Sequence, residues 1–380
     1  MSAPAGTERP AARGNWVDWL ERRINLTQLF SLITHFGLVY TPIDTSRPIR
    51  EVLRELSQQK VPTYAQWPRV LGVLAGILFV VEVVTGSLLA FYYRPTPEEA
   101  YASTRTIVRD LPFGWFIHQV HAWGAWSLIV VVLVRVARLF WDGLYRAPRE
   151  LLWLSGVALA VLVLKADFTG RLLAWDTHSY WTLVRGLEVV LAIPLVGPIV
   201  DFVIGGSIVN EDMLVRFYIL HIMILPVAYI AFLYVTFGTQ RRVGLGQPAG
   251  GGPGGTTTLR RHLYSLLILT VLAFGIMVSL SVLAPLPFHA QADPYTTVVG
   301  LGPPWYLLAP YAISEGTPIP GWVAGLVTFV VAIGVLLLPF WWRGGADEAA
   351  QRRARIGGIA LLVVWAALSV LGWFVDRGAS

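Results

Sequence analysis

Long apolar runs separated by short polar connections dominate the chain from residue 68 onward. Seven of them, at 68–93, 113–141, 150–172, 214–238, 262–284, 321–342 and 356–375, come close to or exceed the ~20 residues that a helix needs to cross a bilayer. The pattern predicts an all-α membrane protein with seven transmembrane helices. Helix starts carry caps or acids where the dipole favours them: Asp110 before the second span, Pro148 at the third, and Asn210 with Glu211 and Asp212 at the fourth. Ahead of the spans, residues 1–67 hold two amphipathic segments, Trp16 to Phe36 and Ile49 to Lys60, expected to lie along the membrane surface. A further apolar run, Val189 to Ile208, is interrupted by Pro194, Pro198 and the Gly205–Gly206 pair, and reads as two short interfacial helices.

Between the fourth and fifth spans lies GLGQPAGGGPGGTTT, a composition that favours a flexible linker. It divides the chain into a four-helix part (68–245), a linker (246–258) and a three-helix part (259–380), with no sequence repeat relating the two helical parts. The connection from Pro285 to Pro320 contains eight prolines, including the cluster Pro303-Pro304-Trp305-Tyr306.

Composition sharpens this picture. With 55% hydrophobic and 14% charged residues and a mean hydropathy of +0.61, an ordinary soluble domain is excluded. The N-terminus lacks the apolar core of a signal peptide, so the first span is expected to direct insertion. Of 29 Lys and Arg residues, 20 fall on the side of the N-terminal segment and seven on the other. That bias predicts a cytoplasmic N-terminus and explains the net charge of +6 as topology, not as nucleic-acid binding; the expected location is a bacterial inner membrane. The chain has no cysteine, which removes disulfides, iron–sulfur clusters and covalently attached heme, and leaves histidine as the natural ligand for a metal cofactor.

Ionisable groups inside the spans then stand out. The second span, GWFIHQVHAWGA onward, carries His118, His121 and Arg135, and the fourth, LVRFYILHIMILP, carries His221. Two neutral imidazoles facing each other across a bundle suit the axial positions of a heme iron. Glycines in the first span (Gly72, Gly86) and the third (Gly156, Gly170) are both 14 apart, about 21 Å along a helix axis. Such pairs either let a flat ring approach the backbone at two levels or serve ordinary helix contact through small residues. Glu82 and Lys165 sit one turn from the Gly86/Gly170 level and are expected to form a buried ion pair. Arg135 is near enough to the cytoplasmic helix end to snorkel.

The segments GWFIHQVHAWGA, FTGRLLAWDTHSYW, AIPLVGPIVDFVIGG, LVRFYILHIMILP and GPPWY together resemble cytochrome b of the quinol-oxidising bc complexes. The likeness is to the chloroplast-type form with its three-helix subunit fused on, and it runs from about Trp67 to Trp373. The resemblance implies a four-helix bundle holding stacked b hemes. At the outer level it assigns His121 and His221 as iron ligands, Gly86 and Gly170 as the flanking glycines, Arg216 as a propionate partner, and His118 as a propionate partner or alternative ligand. At the inner level the family's ligand positions hold Arg135 and, 14 or 15 residues after His221, Val235 and Thr236. One heme b, bis-histidine, and loss of transmembrane electron transfer are therefore expected. The family's Pro-Glu-Trp-Tyr motif reads Pro303-Pro304-Trp305-Tyr306, so the proton-accepting glutamate is missing; Trp305 and Tyr306 remain either as a quinone pocket or as interfacial anchors.

The function this implies is that of a membrane subunit in a respiratory or photosynthetic electron-transfer complex. It would exchange electrons with quinone or a periplasmic partner, a cytochrome c or an iron–sulfur protein, among lipids and in a homodimer if it follows the family. A full quinol–cytochrome c reductase subunit and a redox-silent scaffold stay open beside it. A transporter is disfavoured by the lack of internal repeats. The remaining histidines, His35, His178, His262 and His289, are expected in loops or near interfaces.

Overall fold

A computed structural model describes residues 16–21, 23–34, 43–63, 66–206, 209, 211–244, 254–295, 302–342 and 348–378. His35, Asn210 and most of the glycine linker lie outside these residues. The N-terminal region forms α1 (Trp16–Glu21), α2 (Leu26–Thr34) and α3 (Ile49–Gln58). A short strand, β1 (Lys60–Pro62), pairs antiparallel with β2 (Thr256–Thr258), so the end of the linker segment is held in a two-stranded ribbon.

The bundle follows with α4 (Gln66–Ala90), α5 (Pro97–Arg109), α6 (Gly114–Trp141), α7 (Glu150–Leu172), α8 (Thr177–Leu191), α9 (Val196–Ile204), and α10 (Glu211–Ile219) continuing into α11 (Leu225–Val243). The chain closes with α12 (Leu259–Leu283), α13 (Leu308–Gly316), α14 (Gly321–Leu336), α15 (Leu338–Trp341) and α16 (Glu348–Gly378). Among the described residues six helices are long and apolar enough to cross a membrane, and the protein is a multi-pass membrane protein. The remaining predicted span is α14, 16 residues long; Leu337 leaves the helical conformation and Pro339 opens α15, which splits the run.

Helices α4, α6, α7 and α11 meet in one core of Leu74, Leu78, Leu128, Ile129, Val132, Val163 and Phe237. Their outward faces expose Val80, Val84, Val130, Val161 and Ile230, as suits a lipid surround. In α11 and its approach, Pro226 cannot donate a backbone hydrogen bond, and residues Leu220–Ile224 widen into a π turn in which Leu225 N–H reaches back to Leu220 O. His221 lies in that turn. The run Val189 to Ile208 differs from the expected pair of short helices: its first three residues end α8, which begins at Thr177, and within its described residues it then holds one short helix, α9, after Pro194 and Leu195 (φ 66°).

The C-terminal helices pack on the bundle. Gln119 of α6 exchanges two hydrogen bonds with the backbone of Leu286, at 3.0 and 2.8 Å. Trp153 of α7 donates to Val335 O of α14 at 2.9 Å.

Candidate functional site

Glycine removes the side chain at residue 86 on α4 and at residue 170 on α7, and in each gap lies one imidazole. A Cβ at Gly86 would come 3.0 Å from Cε1 of His121, and one at Gly170 would come 2.7 Å from Cε1 of His221. The two rings thus converge from α6 and from the π turn, with centroids 6.2 Å apart and planes at 85°.

Each ring is held by its Nδ1. Thr85 Oγ1 lies 2.9 Å from Nδ1 of His121, and Thr169 Oγ1 lies 3.2 Å from Nδ1 of His221. Both hydroxyls already donate their single proton to their own helix, Thr85 to Val81 O at 2.7 Å and Thr169 to Lys165 O at 2.9 Å. They must therefore accept from Nδ1–H. This fixes both imidazoles in the tautomer whose Nε2 carries a lone pair, and among the described residues no hydrogen bond reaches either Nε2. A hydrogen-bonded Nδ1 and an open Nε2 are what a metal-ligating histidine presents.

The donor set fits a heme iron. The two imidazoles, each with Nδ1 engaged and centroids 6.2 Å apart, would hold the iron between them. His118, one turn before His121 on α6, keeps a buried Nδ1 with no hydrogen-bond partner. Arg216 stands on α10, exposed, its guanidinium over Gly205, whose positive φ of 89° and missing side chain make the room. His118 stands one turn from His121, and Arg216 lies five residues before His221; both are polar groups able to receive an anionic substituent.

One expectation needs correcting: Glu82 does not pair with Lys165. Helix α7 packs chiefly on α11 and α6, and Lys165 is exposed. Glu82 instead places Oε2 3.1 Å from Nδ1 of His121. Arg135 also departs from expectation. It is 4% exposed and does not snorkel. A Cβ at Gly72 would be 3.5 Å from its Nε, and one at Gly156 would be 3.1 Å from its Nη1. The guanidinium fills the space between the inner glycines, beside a cavity that Tyr229, Leu233 and Phe237 also line. Thr236, beyond it, donates to Ser155 Oγ at 2.8 Å.

At the other end, Tyr306 is buried and donates its hydroxyl to Asp167 Oδ2 at 2.7 Å, where Arg171 also binds at 2.8 Å. Trp305 beside it is partly exposed and meets it edge-on. His178 and His289 stack at 5.4 Å, His178 Nε2 lying 2.9 Å from Gly302 O. His262 is buried in the first turn of α12, not at a surface. Sequence reasoning missed Thr85 and Thr169; the signal was the Thr-Gly dipeptide repeated in VTGSL and FTGRL.

The family profile described as cytochrome b/b6/petB matches residues 56–244, and the profile for cytochrome b(C-terminal)/b6/petD matches residues 291–379. Cytochrome b6 of Heliobacterium modesticaldum is 38% identical over 202 residues, 53% of this chain and 95% of that protein. Cytochrome b6 of Heliomicrobium gestii is 41% identical over 179 residues, 47% of this chain and 84% of that one. A solved structure of a hyperthermophilic respiratory Complex III superposes with a TM-score of 0.70 at 20% identity, covering 95% of both chains, a likeness of fold.

Proposed function

Because this chain belongs to the cytochrome b family and is a cytochrome b-like subunit of a bc- or b6f-type electron-transfer complex, we propose that it holds a single heme b between His121 and His221. The reading rests on one observation above all: two imidazoles 6.2 Å apart, each tied through Nδ1 to a threonine. The family implies heme; the number and the ligands are our inference. Heme b, when bound, supplies a one-electron Fe(III)/Fe(II) couple. The chain's own residues do the rest. Gly86 and Gly170 admit the rings, Thr85 and Thr169 set their tautomer, and His118 and Arg216 receive the propionates.

Electrons are exchanged on the outer side, with a quinol or with a periplasmic redox protein of the same complex, and the N-terminus is cytoplasmic. The inner level carries no second heme, since Arg135 occupies the space between Gly72 and Gly156 and Thr236 is no ligand for a heme iron. Without a relay ~21 Å further in, electrons do not cross the bilayer through this chain. Of the residues offered to a quinone, Tyr306 is committed to Asp167, so a quinone meets the indole of Trp305 before the phenol. Pro304 provides no proton acceptor, so the outer site does not repeat the family's proton transfer through that position.

Pyridine hemochrome analysis of the purified chain tests this reading. One heme per chain is expected, lost in both His121→Ala and His221→Ala; two hemes, or one that survives both substitutions, would overturn it.

A further inference from the structure

Helices α4 and α7 present nearly the same frame to the two histidines. Each offers a glycine against Cε1, a threonine hydroxyl just before it against Nδ1, and a backbone carbonyl four residues before the glycine, that of Glu82 or of Ala166. The frames differ in one side chain. Where α7 has the methyl group of Ala166, α4 has the carboxyl group of Glu82, with Oε2 3.1 Å from Nδ1 of His121.

Two further observations show that this carboxyl is placed there by design of the packing. A Cβ at Gly124, one turn after His121 on α6, would overlap Oε1 of Glu82, so α6 leaves out a side chain to admit it. Oε1 is buried with no hydrogen-bond partner. A buried carboxyl left half unpaired is costly.

Resting on the heme reading above, we propose that Glu82 is a positioning residue for the iron ligand His121, accepting the Nδ1 proton together with Thr85 and making His121 the more electron-donating of the two axial ligands. A carboxyl acceptor on the far nitrogen orients the ring and raises the basicity of a metal-bound imidazole, and hydrogen bonding beyond the ligands is one of the levers by which a protein sets a heme's potential. The electron density pushed toward the iron favours its oxidised state. Glu82 thus gives the α4 side a direct hold on the potential of this heme, whereas on the His221 side a hydroxyl and a carbonyl touch the ring and the Asp167 carboxylate acts on it only through space.

Redox titration of the purified full chain and of Glu82→Gln tests this. The variant is expected to keep one heme per chain with a low-spin bis-histidine spectrum. Its ratio of reduced to oxidised heme at a fixed ambient potential should rise roughly tenfold, ~59 mV for a one-electron couple. An unchanged midpoint with full heme content would overturn the proposal and leave the heme reading standing, whereas a heme-free wild-type chain would sink the heme reading first. Should Glu82→Gln fail to assemble, redox-difference infrared spectra of the unsubstituted chain with ¹³C-labelled glutamate decide the matter. A glutamate carboxyl band that shifts with the heme's oxidation state is expected, and its absence overturns the proposal.

Discussion

Gly170→Ala is the substitution whose consequence can be worked most directly from the geometry. Its Cβ would lie 2.7 Å from Cε1 of His221 and 3.2 Å from Nε2, whereas a Cβ at Gly86 would lie 3.0 Å from Cε1 of His121. Carbon atoms settle at ~3.5 Å or more, so the His221 ring must retreat by ~0.8 Å and the His121 ring by ~0.5 Å. The Nδ1 contact from His221 to Thr169 is already 3.2 Å long and does not survive that shift. His121 keeps two contacts, at 2.9 and 3.1 Å, and tolerates its smaller one. Losing such a partner costs ~10–100-fold in metal affinity, ~1.4–2.8 kcal/mol, and overpacking adds ~1–3 kcal/mol. The gain of ~1 kcal/mol from replacing a helical glycine by alanine does not offset this. Heme per protein, read from the absorbance of purified variants, should therefore fall most in Gly170→Ala, less in Gly86→Ala, and not at all in Gly76→Ala, where an added methyl meets nothing within 4 Å. Full occupancy in Gly170→Ala, or a reversed order of the first two, would refute the account of the glycines as ring cradles.

Tyr306→Phe removes a hydroxyl that donates to the buried Asp167, a bond to a charged acceptor worth ~1.5–3 kcal/mol. Arg171 still pairs with the carboxylate, so the variant should assemble with a lower Tm; an unchanged melting temperature would show that the loop is held by other contacts. Burial pushes the His178 imidazole below its ordinary value of ~6.5, against the pull of the Gly302 carbonyl and Asp176 and with the push of His289 and Arg171. The unfolded chain then binds a proton that the folded chain refuses, so this contribution to stability is present above pH ~6.5 and is lost as the pH falls below it. Thermal melts at pH 7.5 and 5.5 should show a smaller acid loss in His178→Asn than in the parent, and equal losses would count against it.

Much of this arrangement was legible in the residues. The apolar runs gave the spans, because a helix in lipid must satisfy its backbone internally and shows its length in hydropathy alone. His121 and His221 stood out because an ionisable group in such a run is rare. What stayed hidden depended on which helix lies against which. Glu82 and Lys165 share a level, and only the packing of α7 on α6 and α11 shows that they do not meet. Helix α5, in the connection between α4 and α6, went unread although Thr96 caps it, Pro97 opens it, and Glu98 and Glu99 fill its first turn. The split of α14 from α15 was likewise present in Pro339, which a hydropathy count passes over.

The inner and outer levels, taken together, say what the glycine spacing measures. Gly156 meets Arg135 as Gly86 and Gly170 meet the two histidines, with a flat, delocalised cation or ring closer than a methyl group would allow, while Gly72 lies at ordinary contact distance from the same guanidinium. The 14-residue repeat therefore reports close approach of a planar side chain at two depths, and the identity of that side chain decides the chemistry. Imidazole has a lone pair for iron, and two of them converge at the level of Gly86 and Gly170. Guanidinium has five donors and no lone pair to give, so the same frame one level deeper becomes packing. On the single-heme reading proposed above, the bundle keeps its shape at both levels because its glycines admit a ligand at one and a filler at the other.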